Sequence, residues 1–522
     1  MAGSFRTGDV LQRVAAENPE GIAYRMLEGG ETVSWSQLEL RTRKCAAVLL
    51  AHGLRIGDGI AVYLENHPRY FEILWAAHRI GSYYTTISRH LKAAEVLHVV
   101  HDCGAKALFT SQALLDAAPA VEAATRSTTR FVLDGDRAGF LSYEAALAAV
   151  DDAVVLPDTP EGTDFSYSSG TTGKPKGIKR PLETANRHFN ATPDARTAWK
   201  NFDANTVYLS TAPFYHTAPV RWNLNVMRKG GSCVLMERFD ARRALEAIER
   251  FGITHAQWVP TMFIRLLRLP EADRRRFDLS SMRAAVHAAA PCPVWVKEAM
   301  ITWWGPRLYE YYSGTELVGR TSLDSAEWLR HKGSVGRVEF GAVHIVGEDG
   351  AELPAGRTGV IYFSGGPAFE YHNDPEKTRQ TYNARGWATY GDIGHVDEEG
   401  YLYLTDRLAN MIISGGVNIY PQETEDVLLQ HPAVADGAVF GVPNEEFGEE
   451  VKAVVQLQPG TAASDEIERA LIDFCRERLS ALKCPKTVDF AATLPRTETG
   501  KLMKSEIRNR YRAAQESGVR AD

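Results

Sequence analysis

The stretch SYSSGTTGKPKGIKR, residues 166–180, combines glycines and hydroxyl side chains with four cations in one loop. Two interpretations compete: a solvated turn without function, or a phosphate cradle whose backbone N–H groups and lysines face an anion. From Gly170 the GxxxxGK[ST] spacing of a Walker A loop fails, because Pro175 stands where that motif requires glycine. The rest of the chain has to decide between a turn and another kind of phosphate loop.

Length and composition limit the possible functions. A chain of 522 residues exceeds one compact core, so we expect two or more domains, at least one of them large. A hydrophobic content of 44% with 24% charged residues is typical of a folded globule rather than a disordered chain. The formal charge of −7, with lysines and arginines spread along the chain, argues against nucleic-acid binding.

The cysteines and the two termini bear on the cellular compartment. The six cysteines form no CxxC pair and no Cys/His spacing that suits zinc, so we interpret them as buried thiols in a reducing cytosol. The N-terminal MAGSFRTGDVLQRV lacks the apolar core of a signal peptide, no apolar run is long enough to span a bilayer, and GVRAD is no peroxisomal signal. We therefore expect a cytoplasmic protein without a transmembrane segment.

Helical and strand-like segments alternate along most of the chain. Residues 34–54 have the apolar spacing of a helix, and GIAVYLEN at 59–66 reads as a buried strand. The same alternation returns after the glycine loop in TVYLSTAP, GSCVLME, ITHAQWVP and RAAVHAAAP, with helical segments between them. This rhythm predicts an α/β fold of mostly parallel sheets covered by helices.

Two smaller units follow. After about residue 333, apolar and polar residues alternate between Gly/Asp turns, which predicts a small antiparallel β unit that begins at GRVEF. From about residue 406 two strand-like segments surround an amphipathic helix capped by Ser464, whose apolar stripe we assign to Ile467, Leu471, Phe474 and Leu482. We predict a large N-terminal domain over residues 1–405 and a small mobile α+β domain over residues 406–522.

The glycine loop resembles the phosphate loop of the adenylate-forming superfamily, which contains acyl-CoA synthetases, peptide-synthetase adenylation domains and luciferases. The match is SSGTTGKPKG at 168–177. Further segments resemble the superfamily's other motifs in the expected order: APFYH at 212–216, HAAAPCP at 287–293, EYYSGTE at 310–316, YGDIGHVDEEGYLYLTDR at 390–407, ISGGVNIYPQETED at 413–426 and LPRTETGKLMK at 494–504. Because independent coincidences would have to multiply, the chain is identified as a member, closest to bacterial acyl-CoA synthetases.

The resemblance implies an acid–thiol ligase that uses ATP and magnesium to make an acyl-AMP and then transfers the acyl group to CoA. In it, Asp392 and Arg407 would contact the ribose, Tyr312 would pack on adenine, and Glu316 with Thr171 would hold magnesium. The residues implied to bind ATP or AMP are Ser169, Gly170, Thr171, Thr172, Gly173, Lys176, Ala289, Tyr311, Tyr312, Thr315, Asp392 and Arg407.

The remaining implied sites concern catalysis, CoA and the acyl group. Lys501, His216 and Glu316 would be catalytic, with Lys501 bridging the substrate carboxylate and the α-phosphate. Asp406 would be the hinge about which the C-terminal domain swings to bring the CoA-binding residues Ser414, Gly415 and Gly416 to the site. The acyl pocket is assigned to His216, Trp222, Trp258, Ala288 and Gly314, whose apolar surroundings predict a hydrophobic acid, whether fatty, aromatic or polycyclic.

Departures from the family pattern leave alternatives open. Ala409 and Asn410 stand where related sequences often have a lysine and an acid, Tyr390 replaces a threonine, and Ser313 replaces a glycine. One alternative is an enzyme of one half-reaction, which passes acyl-AMP to a carrier protein or joins CoA to a supplied adenylate. Another is a non-catalytic acyl- or nucleotide-binding protein. The sequence also leaves open whether the chain forms a homodimer.

Overall fold

The computed structural model describes residues 7–125, 127–168, 175–182, 201–444, 446–496 and 502–517. Its first sheet has six strands, all joined in parallel pairs. The strand Gly59–Tyr63 is buried at every residue, as expected where helices cover both faces of a sheet. The spatial order is Leu141–Ser142, Thr129–Val132, Ala105–Thr110, Gly59–Tyr63, Tyr83–Ile87 and Thr163–Asp164.

The second sheet has nine strands and carries the candidate site. Its central strands are parallel, and both edges are antiparallel. The order is Arg337–Phe340, Arg320–Asp324, Leu308–Tyr312, Ala284–His287, His255–Trp258, Val207–Ser210, Ser232–Leu235, Ile22–Met26 and Thr32–Ser34. The prediction of an α/β fold with mostly parallel sheets is therefore confirmed.

A four-stranded antiparallel sheet forms the small β unit, in the order Ala342–Val346, Gly359–Ser364, Ala388–Val396 and Leu402–Arg407. One boundary of this prediction was wrong. Arg337–Phe340 belongs instead to the edge of the nine-stranded sheet, because its hydrogen bonds go to Arg320–Asp324. Alternation along a strand shows which face is buried but not which neighbour pairs with it.

The C-terminal domain is the predicted α+β module. Its sheet runs Val417–Ile419, Ile412–Ser414, Gly448–Leu457 and Val434–Asn444, with Thr487–Phe490 also paired to Gly448–Leu457. Ser464 caps the helix Asp465–Arg476 by accepting the Ile467 N–H, as predicted, and Leu471 is buried. The assignment of Leu482 to the same stripe was wrong, since the helix ends at Arg476 and Leu482 is 49% exposed.

Helices cover the sheets, and within the described chain none is long and apolar enough to cross a bilayer. The predicted helix near residue 34 is Trp35–Ala51, which Ser34 caps through the Gln37 N–H. The α-helices of the described residues are Thr7–Glu17, Trp35–Ala51, Tyr70–Arg79, Ala93–Asp102, Gln112–Ala117, Pro119–Ala124, Tyr143–Ala148, Thr217–Arg228, Ala241–Phe251, Pro260–Leu267, Glu271–Arg276, Val294–Trp304, Ser325–Arg330, Pro375–Thr381, Pro421–Leu428, Asp465–Arg476 and Lys504–Ser517.

The cysteines are reduced, and all but one are buried. Cys292, in the turn after Ala284–His287, is only partly buried, so the prediction of a buried thiol was wrong there. The boundary between the domains stays a prediction. Residues 405 and 406 both lie inside the strand Leu402–Arg407, so the predicted hinge belongs to the small sheet in this arrangement.

Candidate active site

A cleft of about 2690 Å³ is lined by both the large part of the chain and the C-terminal domain. Many of its residues follow the parallel strands His255–Trp258, Ala284–His287 and Leu308–Tyr312, at their carboxyl ends. Leu502 and Lys504 line it from the C-terminal domain. Ligands of α/β sheets bind at this end of the strands, so the cleft is the place to test the predicted residues.

The phosphate loop itself, with Ser169, Gly170, Thr171, Thr172 and Gly173, lies outside the described residues. Its flanks, Ser166–Ser168 and Lys176–Ile178, pair as antiparallel strands. Lys176 lines the cleft, and burial lowers the pKa of its ammonium, an effect to which the nearby cation Lys377 adds. The phosphate-binding role of this region therefore stays a prediction. Lys176 is the predicted residue of the loop that the structure describes, and it lies in the cleft wall.

Tyr371 connects the strand after the phosphate loop to the carboxylate of Glu316. A β-bridge joins Tyr371 to that strand, and the His372 N–H donates to the Gly177 carbonyl at 2.8 Å. The Tyr371 hydroxyl donates to Glu316 Oε1 at 2.7 Å, and Lys176 Nζ lies 5.8 Å from the centre of the Tyr371 ring. Sequence analysis did not identify Tyr371, because its two partners lie far from it along the chain.

The residues proposed for the ribose lie together. Asp392 and Arg407 face each other across an antiparallel strand pair, with Arg407 Nε 3.2 Å from Asp392 Oδ1. The Tyr312 hydroxyl donates to Asp392 Oδ2 at 2.5 Å. Burial raises the pKa of Tyr312, and the charge of Asp392 raises it further. All three line the cleft, and their nucleotide-binding roles stay predictions.

Tyr311, which we grouped with the nucleotide-binding residues, neighbours Trp222, which we assigned to the acyl pocket. Neighbouring residues of a strand point to opposite faces, so Tyr311 and Tyr312 diverge. The Tyr311 hydroxyl accepts a hydrogen bond from Gln257 Nε2 at 2.8 Å. Its ring lies nearly parallel to that of Trp222, with centroids 6.4 Å apart. Tyr311 therefore contacts a residue predicted for the acyl group, and its nucleotide-binding role stays a prediction.

The other predicted acyl-pocket residues also line the cleft. His216 precedes the helix Thr217–Arg228, and its ring lies 4.5 Å from that of Tyr215. Trp258 is only 1% exposed and packs on Trp304 in the core of the second sheet, so little of it is available to a ligand. Ala288 is nearly buried, whereas Ala289 is exposed in the turn that follows the strand.

Two of the departures from the family pattern contact each other. The hydroxyls of Ser313 and Tyr390 lie 3.3 Å apart, and Tyr390 donates to the Gly319 carbonyl at 2.8 Å. A Cβ added to Gly314 would lie 2.4 Å from the Tyr390 ring and 2.6 Å from Glu316 Oε2. Glycine at 314 is therefore required by the volume that Tyr390 occupies beside Glu316.

An arginine pair that sequence analysis missed lies in the cleft wall. Arg221 donates to both carboxylate oxygens of Asp164, at 3.0 and 2.8 Å. Arg180 donates to the Thr315 carbonyl, and burial together with repulsion by Arg221 lowers the pKa of Arg180 to about 10. With one carboxylate between two arginines, this corner favours an anionic ligand group. The quoted glycine loop ends in Arg180, which was the one available signal.

A buried ion pair joins the helix Val294–Trp304, which follows the turn that contains Ala289, to the strand Leu308–Tyr312. Lys297 is fully buried, and its Nζ lies 2.5 Å from Glu310 Oε2. Burial raises the pKa of Glu310, and Lys297 opposes that change. Ala289 itself has a φ of +76°, which is strained for a residue with a Cβ.

The C-terminal domain presents only part of the predicted set. Lys501 falls outside the described residues, whereas its neighbour Lys504 lines the cleft and lies 2.8 Å from Glu425. Ser414 is buried, and Gly415 and Gly416, with φ of +56° and +78°, form an exposed turn that is not part of the cleft wall. Asp406 accepts hydrogen bonds from three groups that surround it, the Arg407 N–H, the Asn410 amide and the Gln422 N–H.

The described residues fit a magnesium ion that is held mostly by phosphate and water. Among them, no group of three or more His, Cys, Asp or Glu side chains forms a metal site. Glu316, at the cleft wall, offers a carboxylate of the hard-oxygen type that magnesium prefers, and one or two such ligands are typical when substrate phosphates supply the rest. Thr171, the second predicted ligand, lies outside the described residues.

Comparison with protein families agrees with this geometry. The model of the AMP-binding enzyme family matches residues 11–370, more than half of the chain, and that of the AMP-binding enzyme C-terminal domain matches residues 423–501. The chain belongs to the AMP-binding enzyme family. The resemblance inferred from the motifs is thereby confirmed, as is the prediction of an enzyme.

Relatives within the AMP-binding enzyme family span the whole chain. The long-chain-fatty-acid–CoA ligase FadD13 of Mycobacterium tuberculosis is 32% identical over 514 residues, 97% of this chain and 98% of that protein. A feruloyl-CoA synthase of an Amycolatopsis species is 33% identical over 509 residues, 96% and 98% of the two chains. The crystal structure of ATP-bound MatB from Rhodopseudomonas palustris superposes with a TM-score of 0.82 at 27% identity, covering 97% and 99%.

Proposed function

We propose that this enzyme is an acyl-CoA synthetase that activates a hydrophobic carboxylic acid as acyl-AMP and transfers the acyl group to CoA. The observation that carries the proposal is one cleft that is lined both by Asp392, Arg407 and Glu316 and by the aromatic residues Trp222 and Tyr311. A nucleotide and an apolar acid would thus meet in one place. The two sequence relatives described above are named for CoA ligation of a fatty acid and of an aromatic acid, which supports the reaction without choosing the acid.

In the proposed adenylation, the substrate carboxylate attacks the α-phosphorus of ATP, the bond to the β-phosphate breaks, and pyrophosphate leaves. Two anions have to meet, so cations and oriented donors at the site lower the barrier. Lys176, Arg180 and the predicted Lys501 would supply positive charge, and magnesium held by Glu316 would neutralise phosphate oxygens. Asp392 would exchange its Tyr312 and Arg407 contacts for ribose hydroxyls, or accept those hydroxyls in addition.

In the proposed second half-reaction, the CoA thiolate attacks the acyl carbon and AMP leaves. Because the Ser414–Gly416 turn lies outside the cleft wall, this step requires rotation of the C-terminal domain about Asp406. The hydrogen bonds of Asp406 to Asn410 and Gln422 would have to break or move with the domain. An enzyme confined to one half-reaction remains the alternative, since Ala409 and Asn410 depart from the family pattern at this hinge.

Exchange of labelled pyrophosphate into ATP, measured with a panel of carboxylic acids, tests the proposal. Acid-dependent exchange followed by CoA-thioester formation supports the full ligase. A thioester made only from supplied acyl-AMP supports the one-step enzyme, and neither activity with any acid leaves a binding protein. Lys501→Ala should abolish exchange while sparing thioester formation from acyl-AMP. Unchanged exchange in this variant would contradict the assigned mechanism.

A further inference from the structure

Aromatic rings line the cleft around Trp222, and we assign this wall to the acyl group. The Trp222 ring is inclined by 22° to that of Tyr311, with centroids 6.4 Å apart, and by 17° to that of the buried Tyr208, at 6.1 Å. Phe202 meets Trp222 edge-on at 5.6 Å. Parallel rings present a flat apolar surface, which matches a planar or cyclic body better than a flexible chain.

This wall also contains polar groups that a hydrocarbon substrate would leave unused. Gln257 is 7% exposed, and its Oε1 has no hydrogen-bond partner among the described residues, although its Nε2 donates to Tyr311. Buried polar atoms are nearly always hydrogen-bonded, so this orphaned atom marks the wall as partly polar. Gln257 Oε1 is an acceptor and would pair with a donor, so it does not itself bind a ligand oxygen.

Arg320 also lines the cleft and packs against Tyr311. Its guanidinium carbon is 5.5 Å from the Tyr311 ring centre and 5.6 Å from that of Phe340. The side chain lines the cleft and is 23% exposed, and its Nε is buried without a hydrogen-bond partner in the described part of the chain. A guanidinium that packs against rings keeps its N–H groups in its own plane, where a ligand oxygen could accept from them.

The carboxylate of Glu339 lies close to Arg320 and offsets its positive charge, which bears on whether the ligand group is charged or neutral. Glu339 Oε2 lies 3.6 Å from Arg320 Nη1, which is too long for a charge-assisted hydrogen bond but close enough to cancel much of the field of the guanidinium. A second carboxylate on the substrate would therefore meet Glu339 as well as Arg320. A neutral oxygen on the substrate could accept a hydrogen bond from Arg320 without being repelled by the Glu339 carboxylate.

We propose that the acyl pocket selects carboxylic acids whose flat apolar body carries a neutral oxygen acceptor, such as a ketone, distant from the reacting carboxyl, and that Arg320 binds this oxygen. The inference rests on the proposed function and names its substrate class.

The test compares isosteric acids in which one oxygen replaces one methyl group. Purified full-length enzyme is assayed for acid-dependent pyrophosphate exchange with the 4-acetylphenyl and 4-isopropylphenyl derivatives of acetic, propanoic and butanoic acid. We expect kcat/KM for the ketone to exceed that for its isostere by about 10- to 100-fold at one or more chain lengths, the range expected for a hydrogen bond from a charged donor. Arg320→Met should reduce this ratio to about 1.

Arg337→Met is the matched control, because Arg337 pairs with the neighbouring strand position Ser322, also stacks on a tyrosine, and is not part of the cleft wall. It should keep the wild-type ratio. Both kcat/KM values of this ratio are measured on the same protein sample, so a lower fraction of folded enzyme in a variant affects both equally and leaves the ratio unchanged. Equal or higher kcat/KM for the isopropyl acids at every length, or a ketone preference that survives in Arg320→Met, would overturn the inference. Absence of exchange with any acid would instead contradict the proposed function.

Discussion

Replacing Tyr371 by phenylalanine tests whether this tyrosine positions Glu316 for a magnesium–ATP complex. The change removes the hydroxyl that donates to Glu316 Oε1 at 2.7 Å but keeps the ring that faces Lys176. Burial and the charge of Glu316 raise the pKa of Tyr371, so the hydroxyl stays protonated and can donate throughout the neutral pH range.

The expected magnitude follows from that single contact. A hydrogen bond to a charged group contributes about 1.5–3 kcal/mol, which corresponds to about a 10- to 100-fold change in an equilibrium constant. We expect Tyr371→Phe to weaken binding of ATP with magnesium by this factor. Binding of ATP in the presence of a chelator should change by less than about threefold, because the ring and Lys176 remain.

Isothermal titration calorimetry with and without magnesium measures both affinities independently of turnover. Tyr382→Phe is the matched control, since it loses hydroxyl contacts with the Phe369 backbone in the same segment without touching Glu316. In a Glu316→Gln background, Tyr371→Phe should have little further effect. The reasoning is refuted if both tyrosine variants weaken binding equally, or if Tyr371→Phe weakens ATP as much without magnesium as with it.

Three other residues give separate predictions. Gly314→Ala should lower the rate of acid-dependent pyrophosphate exchange at least tenfold, because the new Cβ would lie 2.4 Å from the Tyr390 ring. Tyr390→Thr in the same chain should restore part of this rate. Unchanged exchange in Gly314→Ala alone would show that the Tyr390 ring moves freely. Burial raises the pKa of Glu425 from 4.5 to about 7, so the protonated carboxyl is favoured on folding and its stabilisation is lost as the pH rises through 7. Thermal melts of Glu425→Gln should therefore show stability rising relative to wild type between pH 5 and 8, by at most about 3 kcal/mol, whereas a pH-independent difference would contradict the assignment. Lys297→Met should destabilise the protein by about 3–5 kcal/mol in denaturant melts, because it leaves the Glu310 carboxylate buried without its cation. Glu310→Gln in the same chain should recover much of this loss. A Lys297→Met variant as stable as wild type would argue against a buried ion pair.

Local sequence was sufficient for the elements of the fold. Ser34 and Ser464 cap helices where the sequence places them, because capping depends on residues within one turn. The strand Gly59–Tyr63 is buried throughout, as its continuous apolar run predicts. Predictions that depended on contacts between distant segments, or on where the chain leaves a helix, were wrong in two places. Arg337–Phe340 has the alternation of the small sheet but pairs with the large one, and Leu482 continues the helical spacing beyond the point where the chain leaves the helix.

The sequence by itself determined the family and the order of the candidate residues, since motifs such as SSGTTGKPKG and YSGTE are contiguous and their spacing can be read directly. Only the tertiary structure decided which side chains meet. Tyr371 reaches Glu316 across 55 positions, and Tyr390 fills the space over Gly314. Strand alternation turns Tyr311 away from Tyr312 and toward Gln257 and Trp222. Such contacts depend on sheet pairing and on the packing of distant segments, neither of which local sequence encodes. The sequence could therefore name candidate pocket residues, whereas only the structure showed that Tyr311, Gln257 and Arg320 lie beside them.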